Sequence, residues 1–463
     1  MNLWILTEER PREVTLGRII EEASKELKID IEIKKIIINP IIINKKFTFL
    51  HEIEGAKSSK VEHFYIKLVQ GSKSFIDFLV FYMKNEPTPS DTPLIAVEET
   101  KVDIEESRNV TAYQRNTKFV YIPYFFKDIK KLIIFFRDFP SHKLNKTYSL
   151  RFGLRLLMTI GVEIWGIENL KDYGLTPFQS VDDFIDYKNN MPAPRSGQQV
   201  KIVKLDDEIK ISAKLDKGSG SAKNKISHDP NIGQVSSIVR CLRVLGWRGK
   251  ITISDHNVTQ KNIDNAKNKL IPILVNEEAS LENINLPQEK NLPPEYWKKS
   301  FISEKNSTIF LDILLSQVKN VEVIFNHHAG CERGYFKTPK GESLALPKTD
   351  FPIPDLIVCD HARKEIINVE GKTHDKVLEG ISKLKNFDKI EAECIKKYYP
   401  NYRIIRCVAL FGGKSETISH DGVAFLLNES GEIIVSDMAP EAIKIATKDF
   451  SQKSTVGDLT QFI

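Results

Sequence analysis

Hydrophobic and polar residues follow two periods along this chain, and the switches between them mark out its elements. Short β-branched and aromatic runs of period two read as strands, and longer stretches of period near 3.6 read as helices. The first part opens with a strand over Leu3 to Leu6, a helix over Leu16 to Leu27 and a strand over Asp30 to Ile38. Phe75 to Tyr82 and Leu94 to Lys101 are strands separated by a polar, Pro-rich loop. Glu105 to Arg115 has helical composition, and Lys118 to Ile122 reads as a further strand. A helix over Asn145 to Met158 and a strand over Gly161 to Trp165 follow, and the periodicity then lapses between Tyr187 and Gln199, where Pro, Gly and polar residues cluster as in a linker. The middle stretch predicts strands within Lys201 to Leu215, a Gly- and Lys-rich loop over Asp216 to Gly233, a helix over Gln234 to Leu245 and a strand over Lys250 to Ser254.

The last third predicts a helix over Asn306 to Gln317 and a strand over Val321 to Phe325. Two strands follow, Leu356 to Cys359 and Ile366 to Lys372, joined by the polar turn Asp360 to Lys364. An amphipathic helix over Val377 to Tyr398 and a strand over Arg403 to Phe411 complete the pattern. The expected class is α/β with mixed sheets, of the α+β kind, in three regions: 1–187, 200–295 and 300–463.

Chemistry concentrates at the paired strands of the last region. Side chains alternate along a strand, so Glu370 and Lys372 share one face. If the two strands are neighbours, Asp355 at the start of the first meets Glu370 near the end of the second. Two hard oxygen ligands suit Mg²⁺, which is held by one or two carboxylates together with waters and substrate phosphate. A lysine beside them can orient or deprotonate an attacking water.

Pro354, Asp355, Glu370, Gly371 and Lys372, set in the order helix, strand, Asp strand, Glu-x-Lys strand, helix, strand, resemble the PD-(D/E)XK nuclease superfamily over about residues 300 to 425. That superfamily includes many type II restriction endonucleases. The resemblance implies that Asp355 and Glu370 bind Mg²⁺ and that Lys372 assists the nucleophilic water. It further implies a hydrolase acting on double-stranded DNA within a restriction–modification system, with a cognate DNA methyltransferase as companion.

A second copy of this order is expected in the first region. Asp77 lies near the start of one strand, and Glu99-x-Lys101 ends the next. Ile76 replaces the Pro, the intervening loop is longer, and the neighbouring Glu98 points to the face opposite Glu99. The two-residue spacing to Lys101 selects Glu99. Asp77, Glu99 and Lys101 would then form a second centre, with Asp77 and Glu99 as metal ligands, letting one chain cut both strands. Two other readings of the chain remain beside restriction: a repair, recombination or mobile-element nuclease of the same superfamily, and a nucleic-acid-binding scaffold whose cores are inactive.

Composition adjusts this picture only slightly. Of 463 residues, 41% are hydrophobic and 28% charged, ordinary for a globular chain with room for several cores. A net charge of +5 is compatible with nucleic-acid binding without arguing for it. The five cysteines (Cys241, Cys331, Cys359, Cys394 and Cys407) form no CxxC pair, which argues against a zinc ribbon or a disulfide framework and for reduced thiols in a cytoplasm. The first residues lack a secretory core, and no uncharged apolar run is long enough to span a membrane. The Gly-rich basic loop lacks the Gly-Lys-Ser/Thr order of a nucleotide-hydrolysing loop, and is a candidate for contacting DNA phosphates. His327, His328 and Cys331 cluster without the second ligand pair that a zinc site needs.

Overall fold

The computed structural model describes residues 1–43, 46–72, 75–101, 110–136, 148–167, 170, 174–192, 200–213, 230–256, 259–260, 271–286, 292–299, 304–326, 335–345, 352–413, 415–429 and 431–453. The chain is mixed α/β, with several sheets that combine parallel and antiparallel pairs. Its compact units do not follow chain order. One unit joins Met1–Gln70 and Tyr82–Glu86 to Lys299–Ile463, and the other holds Gly71–Phe81 and Pro87–Lys298.

The first unit opens with β1 (Asn2–Thr7), β2 (Glu32–Ile43), β3 (Lys46–Lys57) and β4 (Phe64–Gly71). β1 runs parallel to β4, β3 antiparallel to β4, and β2 antiparallel to β3. All six residues of β1 are buried. A strand covered on both faces reads as a continuous apolar run.

The second unit holds β5 (Phe78–Met83) and β6 (Ile95–Lys101), paired antiparallel, then β7 (Lys130–Phe136) and β8 (Val162–Trp165), each added in parallel. A smaller sheet follows from β9 (Lys201–Lys204), β10 (Glu208–Ser212), β11 (Lys250–Ser254) and β12 (Ala279–Leu281), in the order β12-β11-β10-β9. The short β13 (Trp297–Lys299) ends this stretch. Lys118 to Ile122, expected as a strand, lies inside the helix Val110–Phe125. The reason is packing. Phe119, Val120, Tyr121 and Ile122 are all buried, because this helix is covered by the helices Tyr148–Thr159 and Pro230–Val244. A helix apolar on most of its circumference has the composition of a buried strand.

The first unit resumes with the helix Asn306–Leu315, every residue of which is buried. Then come β14 (Val321–Asn326), the hairpin β15 (Tyr335–Lys337) and β16 (Ser343–Ala345), β17 (Leu356–Asp360), β18 (Glu365–Thr373), β19 (Arg403–Phe411), β20 (Val423–Leu427) and β21 (Ile433–Val435). The six-stranded sheet has the order β14-β17-β18-β19-β20-β21. β17 and β18 are antiparallel, while β18, β19 and β20 run parallel. The expected helix Val377 to Tyr398 is interrupted: Val377–Leu384 is helical, Lys385 to Phe387 break the run, and a wide i→i+5 turn spans Glu391–Ile395.

Polar contacts tie the N-terminal part of this unit to the segment Asn306 to Gln317. Arg10 Nε donates to the fully buried Asp312 carboxylate at 3.0 Å. The Gln317 amide bonds both the N–H and the C=O of Ile38, at 3.0 and 2.9 Å. Among the described residues no helix is long and apolar enough to cross a membrane. The cluster at His327, His328 and Cys331 and the Gly-rich loop over residues 214–229 lie outside the described residues.

His51 of β3, opposite Ile66 of β4, is fully buried. Burial, and then the charge of Lys67, push its pKa down to about 3 from 6.5. The unfolded chain therefore binds the proton first, so stability present above pH 6.5 is lost as pH falls toward 3, by about 1.4 kcal/mol per pH unit. Urea unfolding of His51→Phe between pH 7 and pH 4 is expected to show a shallower acid loss than the wild type; equal slopes would contradict this.

Candidate active site

Register assembles the C-terminal site. Leu356 of β17 lies opposite Val369 of β18, so Asp355, one residue before the strand, falls opposite Glu370. The Gly371 N–H donates to Asp355 Oδ2 at 3.0 Å, which fixes that carboxylate against the next strand. Asp355 is 7% exposed and Glu370 fully buried. The positions 368, 370 and 372 alternate onto one face of β18. That face therefore carries Asn368, Glu370 and Lys372 in a polar column.

Two glycines let β18 be covered closely on both faces. A Cβ on Gly371 would stand 2.6 Å from the Glu304 backbone oxygen and 3.0 Å from Thr308 Cγ2, so glycine here admits the start of the helix Asn306–Leu315. A Cβ on Gly380 would stand 2.9 Å from Lys372 Cγ and 3.2 Å from Val408 Cγ1, so the helix Val377–Leu384 presses onto the other face. The residue between Glu370 and Lys372 is thus small for a packing reason.

Cations surround the buried glutamate. Lys383 Nζ lies 2.6 Å and Lys372 Nζ 3.1 Å from Glu370 Oε1. Glu370 Oε2 is buried and has no hydrogen-bond partner among the described residues. Burial, and then the Asp355 charge, raise the Glu370 pKa against the opposing pull of Lys383 and Lys372. Burial works against the Lys372 ammonium, but its bond to Glu304 Oε2 at 3.1 Å and the charge of Glu370 outweigh it, and the net shift is upward. Lys372 is accordingly an ammonium at neutral pH. Deeper in the column, Asn368 Nδ2 donates to Glu391 at 2.8 Å, and Arg406 Nε holds the same carboxylate at 2.7 Å.

This donor set fits a small hard cation. Among the described residues no group of three or more His, Cys, Asp or Glu is placed to hold a metal ion. Mg²⁺ needs only one or two carboxylates, with water and phosphate as its other ligands. Asp355 and the unpartnered oxygen of Glu370 supply such a pair.

The N-terminal core repeats the register with different residues. Phe78 of β5 lies opposite Val97 of β6, so Asp77 falls opposite Glu98. The Glu99 N–H donates to Asp77 Oδ2 at 2.8 Å, as the Gly371 N–H does to Asp355. The carboxylate brought to Asp77 is therefore that of Glu98, fully buried, and Glu99 contributes its backbone. Lys118 Nζ, from the following helix, lies 2.9 Å from Asp77 Oδ1 and 2.8 Å from Glu98 Oε2. Tyr296 Oη accepts the Ile76 N–H at 2.9 Å and steadies the approach to Asp77. Lys101 belongs to β6 by its backbone, and its side chain lies outside the described residues.

Sequence reasoning missed Glu304, Lys383, Glu98 as the inward carboxylate, and Lys118. Gly380 was an available signal for Lys383: a glycine inside an amphipathic helix marks a close approach, and Lys383 lies one turn beyond it. Nothing local marks Glu304. No protein-family model, curated protein or solved structure matches this chain.

Gly371→Ala places a methyl against backbone, which cannot rotate away. It is expected to lower stability by about 1–3 kcal/mol, although alanine normally suits a strand better than glycine. A urea midpoint equal to the wild type's would show that the helix start is not held as described.

Proposed function

We propose that this chain is a Mg²⁺-dependent nuclease that hydrolyses phosphodiester bonds of double-stranded DNA, acting as a site-specific endonuclease of the type II restriction class. The observation that carries the reading is the convergence of Asp355 and Glu370 across β17 and β18, with Lys372 on the same face and one glutamate oxygen buried without a partner. An unpartnered buried carboxylate oxygen is costly, and a cation is the ligand that would repay it.

Asp355 and Glu370 would hold the metal, which when bound would act as a Lewis acid, stabilising charge on the phosphate and making a bound water easier to deprotonate to solvent. Lys372, its ammonium held by Glu304 and Glu370, would donate hydrogen bonds and so orient the water and the scissile phosphate. Glu304 holds the Lys372 ammonium at 3.1 Å. Asn368, Glu391 and Arg406 keep the foot of the column rigid. A cognate methyltransferase would protect the host's copies of the same recognition site.

The test is incubation of the purified chain with bacteriophage DNA and Mg²⁺. Discrete fragments that vanish on chelation are expected, and Lys372→Ala should cut about 100-fold more slowly while keeping its fold. Intact DNA under every metal condition, or a Lys372→Ala variant as fast as the wild type, would overturn the reading.

A further inference from the structure

We propose that Lys118 is a resident cation in the N-terminal core: it fills the place that a divalent ion would take between Asp77 and Glu98, so this core binds no metal and the chain holds a single hydrolytic centre. The proposal rests on the nuclease reading of the C-terminal core.

The two cores share enough backbone for a direct comparison. In each, an Asp precedes the first strand of an antiparallel pair, lies opposite a fully buried Glu, and accepts the N–H of the residue after that Glu. In each, the Glu strand pairs in parallel with the strand after the next helix: Glu370 with Val408, and Glu98 with Ile133. The cations differ. In the C-terminal core Lys383 and Lys372 both crowd Glu370 Oε1, leaving Oε2 without a partner. In the N-terminal core the Lys118 ammonium bridges the two carboxylates at 2.9 and 2.8 Å, ordinary lengths for charged hydrogen bonds. The residue two positions beyond Glu98 is Thr100, where the C-terminal strand has Lys372.

Lys118 is also held from behind. It precedes Phe119, Val120, Tyr121 and Ile122, all buried in a helix that packs on the helices Tyr148–Thr159 and Pro230–Val244. The helix therefore cannot withdraw to clear the carboxylates. A Mg²⁺ ion entering here must shed tightly held water and expel a charged amine anchored by its own helix. Such a chain makes one cut per DNA encounter, and cleavage of both strands requires a second chain or a second encounter.

Mn²⁺ binding to the full chain, measured by titration calorimetry, tests this. Wild type and Asp77→Asn should take up the same number of ions. Lys118→Ala should take up one more, and Lys118→Ala/Asp77→Asn should return to the wild-type number. A loss of one ion on Asp77→Asn in the wild-type background would overturn the proposal. So would residual single-strand nicking of plasmid DNA by Asp355→Asn, since that cut would come from the N-terminal core. If Lys118→Ala fails to fold, the comparison of wild type with Asp77→Asn decides alone. Asp355→Asn read by calorimetry reports separately on the C-terminal core: an unchanged ion number there counts against the nuclease reading and leaves the Lys118 comparison standing.

Discussion

The hydrogen bond from the Gly371 N–H to Asp355 Oδ2 is the constraint on which the C-terminal site depends. It couples a side chain at the mouth of β17 to the backbone of β18, and it exists only in the register that sets Leu356 opposite Val369. A one-residue slip would turn Glu370 and Lys372 to the other face of the sheet. That other face is already filled by the helix Asn306–Leu315, whose start lies against Gly371. The apolar partners of β18 therefore enforce the register, and the register places the charges. Stability and chemistry share the same strand, on opposite faces.

Burying two carboxylates together creates an electrostatic problem that the surrounding lysines solve in different ways. Burial first, and then the like charge of Asp355 at short range, shift Glu370 upward. In the C-terminal core the compensating amines come from two directions, one along β18 and one from the helix that follows it. Both bind the same oxygen. The N-terminal core places the Lys118 amine between the two acids, in contact with both. The C-terminal arrangement leaves a buried oxygen with no partner among the described residues, and a buried polar atom of this kind calls for a ligand or a functional reason.

Much of the C-terminal half was legible from the pattern alone, because local and long-range signals agreed there. Leu356 to Cys359 and Ile366 to Lys372 are strands by composition, and their polar turn makes them neighbours. Alternation then aligns Glu370 with Lys372. The first region was harder because two glutamates stand side by side. Glu98 and Glu99 have the same local composition, and spacing to Lys101 favours Glu99. Only the pairing of Phe78 with Val97 shows that Glu98 meets Asp77. Lys118 was hidden by the same ambiguity that turned its segment into an expected strand: a helix buried on several sides loses the polar stripe that identifies it. The joining of residues 1–70 to the C-terminal part rests on pairs such as Arg10 with Asp312, some 302 positions apart. No periodicity can report a contact at that range.

The position of Lys372 connects these points. Burial by itself would make this lysine lose its proton more readily, since it disfavours charge. Here Glu304, reaching in from the start of a helix, and Glu370 on the same strand together outweigh it. That helix starts where it does because residue 371 has no side chain to hold it away. The charge on the amine is thus supported in part by the glycine that precedes it in the chain, through a packing contact and then a hydrogen bond. An amine kept charged in this way serves as a fixed donor to an anionic group, a role that suits a phosphodiester better than a neutral substrate.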